Sequence, residues 1–346
     1  HDIKRLMANE VKKVNNVAIA DIKNINGQTD ANIKKINTKE FTGLSAGTWS
    51  ASSASLGTAR SNFFSAQGSA RTAMAIIGGN GTGGLSDREN SEEEYNGASD
   101  SISSGQAISI SGIMCGAGSA TSAVVGGGTS SGSYVSGQDA YEFGSGSWSS
   151  ITNPSKVYFQ AASSAGTSAN NCAFVGGTSS GDCDMNGDYH MSWDGSSWTE
   201  ETNFIGAVYG PAYAFGGGSA HDSYRITCGY YSTHATSCSR GSLNKNYSYE
   251  GTTWSLSSDN APAAGNGGMG GGTLNDHYHT IKNYSGSSSM QLYDGSAWST
   301  GGSSSYANGS SNQNNQVGSV DTAQFGGREG GSGYGNATNR ISLYDR

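Results

Sequence analysis

A unit of about 50 residues recurs through most of the chain, and this repeat constrains the fold more than any other feature. A glycine followed by Ser or Thr marks each copy, at Gly68, Gly118, Gly166, Gly218, Gly272 and Gly318. Most copies continue with an apolar run that ends in a glycine pair, as in 123–127 and 173–177. A short continuous apolar run of this kind is typical of a strand buried on both faces.

A second landmark completes each copy. An aromatic residue, a tight-turn dipeptide and a tryptophan follow one another in Phe143…Trp148, Trp193…Trp198, Tyr249…Trp254 and Tyr293…Trp298. The segment Tyr95…Asp100 keeps the turn but lacks the tryptophan. Asp-Gly and Asn-Gly favour the turns of two-stranded hairpins. Each copy therefore predicts four antiparallel strands, which is the content of one β-propeller blade.

The two ends of the chain complement each other. The sixth copy stops at Tyr344, before its tryptophan strand, whereas Trp49 has no aromatic strand before it. We expect the strand around Trp49 to pair beside Tyr344 and close the ring, because closure removes exposed sheet edges. The expected fold is all-β, a six-bladed propeller over 44–346. Its blades are predicted at 51–100, 101–148, 149–198, 199–254, 255–298 and 299–346 plus 44–50.

Composition narrows the class of protein. The chain has 54 glycines and 13% charged residues, yet it contains 18 Tyr and 6 Trp. So many glycines disfavour a large helical or α/β domain. The many tyrosine and tryptophan side chains, together with the low charge, disfavour a disordered chain. No apolar run approaches the ~18 residues of a membrane span, so no membrane insertion is expected. The five cysteines lack a C-x-x-C pair, which disfavours a structural zinc site.

Residues 1–43 differ from the rest. An 11-residue period carries apolar residues at Val11, Val14, Ile22, Ile25, Ile33 and Ile36. The turn dipeptides Asn15-Asn16 and Asn26-Gly27 favour short β segments, although the i, i+3 spacing also permits helix. So short a segment cannot bury a core alone. We therefore predict an arm that anchors the protein to a partner or joins copies into a homo-oligomer.

Charge also separates the two parts. Residues 1–40 carry 8 basic and 5 acidic side chains, and the remainder carries 11 basic and 22 acidic ones. An acidic body repels the phosphate backbone, so no nucleic-acid partner is expected.

One segment has the residue order of a calcium loop. Asp182, Asp184, Asn186 and Asp188 alternate as oxygen ligands would, and Gly187 allows a sharp turn. The acid expected at the twelfth position is replaced by Trp193, and His190 stands at the ninth. The alternative is an ordinary polar loop. Calcium is the single cofactor that the sequence suggests.

Aromatic residues in the connections between predicted strands are the candidates for ligand or partner contact. Tyrosine offers a stacking face and a hydroxyl, which suits sugars and protein surfaces. The candidates are Tyr134, Tyr230, Tyr231, His234 and Tyr334. The alternative is simple loop packing.

No catalytic residue is predicted. His277 and His279 share one strand face but lack partners at a metal-ligand spacing. The Asp-Gly-Ser-x-Trp turns are one residue short of the sialidase Asp-box, which is itself structural. The acidic run Glu92–Glu94 is interpreted as a solvated strand edge that discourages aggregation.

The blade segments at 55–60, 214–217 and 293–298 resemble kelch-like β-propellers and, more narrowly, the repeats of structural proteins in marine tailed phages, cyanophages especially. The Ile-Lys-Lys-Ile-Asn repeat of the arm is similar to N-terminal segments of the same proteins. The resemblance implies a non-enzymatic virion component, such as a tail fibre, collar or surface appendage, assembled in the host cytoplasm and then extracellular. It also implies that residues 1–43 bind other virion proteins and that propeller loops contact a host-surface glycan. The alternatives are a cellular or secreted carbohydrate-binding propeller and, less favoured, a propeller glycosidase or oxidase.

Overall fold

The chain divides into two compact units, residues 1–46 with Arg346 and residues 47–345. The structure, a computed structural model, describes residues 13–14, 17–18, 24–25, 28–29, 35–36, 39–40, 47–60, 64–66, 74–79, 89–108, 115–127, 129–130, 133–134, 139–144, 146–157, 159, 162–177, 188–205, 215–227, 230–232, 240–242, 244–262, 270–274, 277–281, 288–295, 297–304, 322–326 and 338–345. Within these ranges, no helix is long and apolar enough to cross a membrane.

The first unit contains three short antiparallel hairpins at the 11-residue period. They pair β1 (Lys13–Val14) with β2 (Val17–Ala18), β3 (Asn24–Ile25) with β4 (Gln28–Thr29), and β5 (Lys35–Ile36) with β6 (Lys39–Glu40). The β interpretation of the repeat therefore holds over these residues, and the helical one does not. Val14, Ile25 and Ile36 each end the first strand of a hairpin. Val11, Ile22 and Ile33 lie outside the described residues.

The second unit begins with β7 (Thr48–Arg60) and continues with five antiparallel sheets of four strands each. Sheet 1 contains β8 (Phe64–Ala66), β9 (Met74–Ile77), β10 (Glu92–Asn96) and β11 (Ser101–Ser104). Sheet 2 contains β12 (Cys115–Ser119) and β13 (Ser122–Gly126), then, after a small hairpin of β14 (Thr129–Ser130) and β15 (Ser133–Tyr134), β16 (Ala140–Gly144) and β17 (Ser147–Ile151).

Sheets 3 to 5 repeat this order. Sheet 3 contains β18 (Ala162–Ser168), β19 (Asn171–Gly176), β20 (His190–Trp193) and β21 (Trp198–Glu200). Sheet 4 contains β22 (Phe215–Ala220) and β23 (Ser223–Thr227), then, after a hairpin of β24 (Tyr230–Ser232) and β25 (Arg240–Ser242), β26 (Asn246–Glu250) and β27 (Thr253–Leu256). Sheet 5 contains β28 (Gly270–Gly272), β29 (His277–Ile281), β30 (Ser288–Tyr293) and β31 (Trp298–Ser304).

Sheet 6 joins the two ends of the second unit. It contains β32 (Thr322–Gly326), β33 (Thr338–Asp345) and, as its outer strand, β7. Tyr344 lies directly opposite Trp49, which is the pairing that the sequence predicts. β7 continues to Arg60, so residues 51–60 lie in sheet 6 and not in the first predicted blade.

The predicted blade boundaries cut through the outer strands. β11 lies wholly beyond position 100, and β17 and β31 run on past Trp148 and Trp298. The sequence boundaries were placed at the tryptophan landmark, whereas each outer strand continues after it.

The core lies between neighbouring sheets. In β13, Val124 packs into a cluster shared with Phe174 of sheet 3, whereas Val125 packs into a cluster shared with Ile77 of sheet 1. Successive side chains of a strand point to opposite faces, so both faces of sheet 2 are covered. This explains why the second strand of a repeat reads as a continuous apolar run.

The repeated Gly-Ser or Gly-Thr landmark has a steric cause. Gly118 and Gly166 lie near the ends of the first strands of sheets 2 and 3, with φ of 131° and 120°. A Cβ at either position would lie 2.3 Å from a carbonyl oxygen of the next strand, that of Ser122 or Asn171. The repeat therefore requires a glycine where the chain turns into its second strand.

Phe159 is the ring that we expect to be most sensitive to a small change in its neighbour. It is fully buried, lies 4.9 Å centroid to centroid from Phe174, and a Cβ added to Gly126 would meet its Cδ2 at 2.2 Å. Gly126→Ala should lower the free energy of unfolding by about 1–3 kcal/mol, because overpacking displaces the ring. Urea unfolding measures this loss.

Gly144→Ala is the matched control, because its added Cβ would find its nearest neighbour at 3.8 Å. Equal urea midpoints for the two variants would contradict the assignment of this strain to Phe159.

Candidate functional site

The strands of each sheet begin and end along two opposite edges of the sheet, and the connections at these two edges differ in length. At one edge, short turns join first to second strands, as at 120–121, 169–170 and 221–222. At the other edge, second strands connect to third strands through longer segments, as at 127–139 and 228–245. We call this second edge the long-connection edge. Long loops on a rigid scaffold commonly carry binding residues, so this edge is the candidate functional face.

Three of the predicted contact residues lie at this edge in paired strands. Tyr134 lies opposite Thr129 in the β14–β15 hairpin. Tyr230 and Tyr231 lie opposite Ser242 and Gly241 in the β24–β25 hairpin. His234 and Tyr334 lie outside the described residues. Each of these tyrosines thus lies in a hairpin inserted between the second and third strands of its own sheet.

Of the predicted calcium ligands, the structure describes Asp188. Its side chain is exposed, and one carboxylate oxygen accepts a hydrogen bond from the Asn203 amide at 3.3 Å. Its backbone carbonyl accepts the N–H of Phe204 at 2.7 Å. Asp182, Asp184 and Asn186 lie outside the described residues. In the described ranges, no group of three or more His, Cys, Asp or Glu side chains is placed to hold a metal ion.

A polar and aromatic cluster surrounds Asp188, and we call it the Tyr189 patch; its members are Lys156, Asp188, Tyr189, Glu200 and Asn203. The Lys156 ammonium lies 5.2 Å from the centroid of the half-buried Tyr189 ring and 2.5 Å from Glu200. The hydrogen bond to Glu200 raises the pKa of Lys156. The cluster offers cationic, anionic and amide groups around one ring, which suits contact with sugar hydroxyls or a polar protein surface.

Sequence reasoning did not find the Tyr189 patch. Lys156 and Glu200 are distant in sequence and carry no motif. Tyr189, which follows the predicted calcium loop directly, was the available signal.

His190 follows Tyr189 in the chain and lies at the interface between sheets 3 and 4; we call each such interface between neighbouring sheets a seam. It is fully buried, its Nδ1 lies 3.2 Å from the Thr202 carbonyl, and its Nε2 lies 2.7 Å from the Tyr224 hydroxyl. A carbonyl only accepts, so Nδ1 carries the proton and Nε2 accepts from Tyr224. Burial lowers the pKa of His190 to about 4. This histidine is therefore a neutral link between two sheets.

Carboxylates stabilise the seams by accepting hydrogen bonds from side chains of neighbouring sheets. Glu142 accepts from the Trp193 indole at 3.0 Å, and Glu201 accepts from the Tyr249 hydroxyl at 3.1 Å. Glu92 accepts from the Trp148 indole at 3.2 Å, and burial raises its pKa to about 7.

The interpretation of Glu92–Glu94 as a solvated edge is wrong for its first two members. Glu92 and Glu93 are 2% and 7% exposed. Glu93 accepts hydrogen bonds from β7, and Glu92 accepts through Oε2 from Trp148 of sheet 2. His277 and His279 lie in β29, opposite the glycines of β28.

The buried His190 predicts an acid-sensitive seam. Its pKa is lower in the folded than in the unfolded protein, so the unfolded state binds the extra proton between pH 6.5 and 4. The His190 contribution to stability should be lost as the pH drops through this range, by about 3 kcal/mol for a shift of this size. The raised pKa of Glu92 acts in the opposite direction, so the contribution is obtained from the difference in slope between the parent and the variant below. Urea unfolding from pH 4 to 7 measures the slope.

In His190→Gln this contribution should disappear, whereas His221→Gln, at a partly buried position, should retain it. An unchanged acid slope in His190→Gln would contradict the assignment.

Comparisons with known proteins bear on the fold. No family model matches the chain, and no curated protein matches it. The solved structure of YjhT, a kelch-type propeller, is similar with a TM-score of 0.54 and 12% identity, over 70% of this chain and 84% of that chain. At this identity the likeness concerns the fold alone. The second unit is therefore β-propeller-like, an all-β assembly of antiparallel sheets.

Proposed function

We propose that the six sheets are the blades of a closed six-bladed propeller. A recurring seam contact supports this: Trp198 donates its indole N–H to the Thr152 carbonyl at 2.6 Å, and Trp254 donates to the Thr202 carbonyl at 3.0 Å. Each tryptophan reaches from an outer strand to the end of the outer strand in the preceding sheet. Trp49 donates to Gly302 of sheet 5 at 2.8 Å, so β7 takes the corresponding place in sheet 6.

The other side of β7 adjoins sheet 1. There Asp100 stands where the repeat elsewhere has a tryptophan, and its carboxylate accepts from Ser52 and Ser53 of β7. The hydrogen bonds from β7 to sheet 5 on one side and to sheet 1 on the other support the proposal, because a closing strand would need both neighbours.

A disulfide between Ser50→Cys and Leu343→Cys tests closure, because these positions are Cα partners in β7 and β33. We expect an intrachain cross-link in the oxidised protein, seen as a monomer of altered mobility on a denaturing gel. Glu94→Cys with Ser103→Cys is the control, since this pair lies within sheet 1. Cross-linking of the control alone would contradict closure by β7 of the same chain.

We propose further that the protein is a non-enzymatic structural component of a virion, in a tail fibre, collar or surface appendage. The two-unit organisation carries this proposal: a repeated hairpin arm precedes a separate propeller-like unit. The basic arm is suited to docking, and the tyrosine-bearing long-connection edge is suited to contact with a neighbour or host glycan. Such a protein is assembled in the host cytoplasm and becomes extracellular with the particle.

The Tyr189 patch favours a second candidate function. A cellular or secreted carbohydrate-binding propeller would use the same combination of one ring with charged and amide groups. This candidate makes no use of the arm for particle assembly, and that difference separates the two.

Deletion of residues 1–43 tests the docking role and leaves β7 intact. We expect the truncated protein to keep its fold by circular dichroism but to be lost from purified particles. The full-length Tyr230→Ala/Tyr231→Ala variant is the control, because it should enter particles normally and bind host cells less. Normal incorporation of the truncated protein would contradict docking through the arm.

A further inference from the structure

The middle of β7, residues 50–55, has little sequence information of its own to fix its position against β33. Residues 50–55 read Ser-Ala-Ser-Ser-Ala-Ser, so a slip of two residues, which keeps each side chain on its own face, still places serine or alanine over most partners of this stretch. Register is weakly specified in strands of small polar residues, because no face is clearly the buried one. The pairing with β33 also contains two irregularities, between Thr338 and Arg340 and between Arg340 and Ser342. Ser52 and Ser53 hydrogen-bond to Asp100, but other serines of the stretch could take their place, so we look for the register-setting contact outside this stretch.

The side chain of the last residue of β7 is buried and held by several hydrogen bonds. Arg60 is fully buried, and its Nη1 donates to the carbonyls of Gly78 at 3.1 Å and Ser91 at 3.0 Å. Its Nη2 donates to the Ser91 hydroxyl at 3.0 Å and to Glu93 Oε1 at 2.5 Å. These acceptors lie at the ends of β9 and β10, so the guanidinium fixes one point of β7 against sheet 1.

Glu93 completes the attachment through the backbone. Its Oε2 accepts the N–H of Gly57 at 2.5 Å, and its Oε1 accepts the N–H of Thr58 at 3.1 Å. One carboxylate thus recognises a guanidinium and two amides that lie two and three residues before it in the same strand. A slipped β7 would present other amides and would carry Arg60 away from its anion.

We infer that the Arg60–Glu93 pair is the register-determining contact of β7. A buried ion pair is weak support for stability but strongly disfavours arrangements that leave either charge unpaired. Such a contact favours one register of β7 over its neighbours, which the serine and alanine side chains of residues 50–55 do not. The inference rests on the proposed closure of the ring by β7 and adds how the closing strand finds its place.

Two disulfide reporters test this inference. Ser50→Cys/Leu343→Cys reports the native register, and Ser50→Cys/Asp345→Cys reports a slip of two residues. In the parent protein we expect the first cross-link and little of the second. With Arg60→Met or Glu93→Gln added, the native cross-link should fall to roughly one third and the slipped one should rise, because neighbouring registers become comparable.

The controls separate register from stability. Lys156→Met breaks an exposed ion pair and should leave both cross-links at the parent level. Arg60→Lys keeps the charge but lacks the planar guanidinium, so both cross-links should lie between their levels in the parent and in Arg60→Met. This variant takes the place of the stronger ones if those do not fold.

The outcomes of the two proposals are distinguishable. Parent-level native cross-linking in Arg60→Met, Glu93→Gln and Arg60→Lys would overturn the role of the ion pair. Absence of the native cross-link in the parent itself would instead overturn the closure of the ring.

Discussion

Sheets 2 and 3 bury both faces against their neighbours, so neither has a core of its own. Val124 and Val125 show this within one strand, because they enter clusters on opposite sides of sheet 2. Stability must then come from the seams, and a sheet without neighbours would expose apolar surface on two sides. The glycine near the end of a first strand answers a different constraint, the close approach of the second strand's backbone within the same sheet.

Hydrogen bonds between buried polar groups stabilise the seams, and each of these groups would destabilise the fold if it had no partner. Trp193 and Tyr249 donate to carboxylates of the preceding sheet, and His190 joins a carbonyl to a tyrosine hydroxyl. Buried donors and acceptors are strongly penalised without partners. Each of these groups therefore favours one relative position of two sheets, whereas the apolar contacts between the same sheets would tolerate small shifts.

The repeat predicted the four strands of most sheets, the tight turns and the pairing of Trp49 beside Tyr344. These features depend on residues close together in the sequence or on a missing strand at each end. The seam partners could not be predicted, because Glu142 and Trp193 are separated by a whole repeat. The same limit explains the error at Glu92 and Glu93, since an acidic run indicates solvent exposure until its donors from other strands are known. The Tyr189 patch was missed because its residues come from separate connections.

The continuity of the arm with β7 has a mechanical consequence. The second unit begins at Gly47, next to Thr48, so tension on the arm enters the propeller-like unit through its outermost strand. That strand is paired with β33 at one side and fixed at its far end by Arg60. Resistance to pulling is governed by the barrier to unfolding and not by equilibrium stability. A tethered copy would thus take up force first along β7, the outer strand of sheet 6.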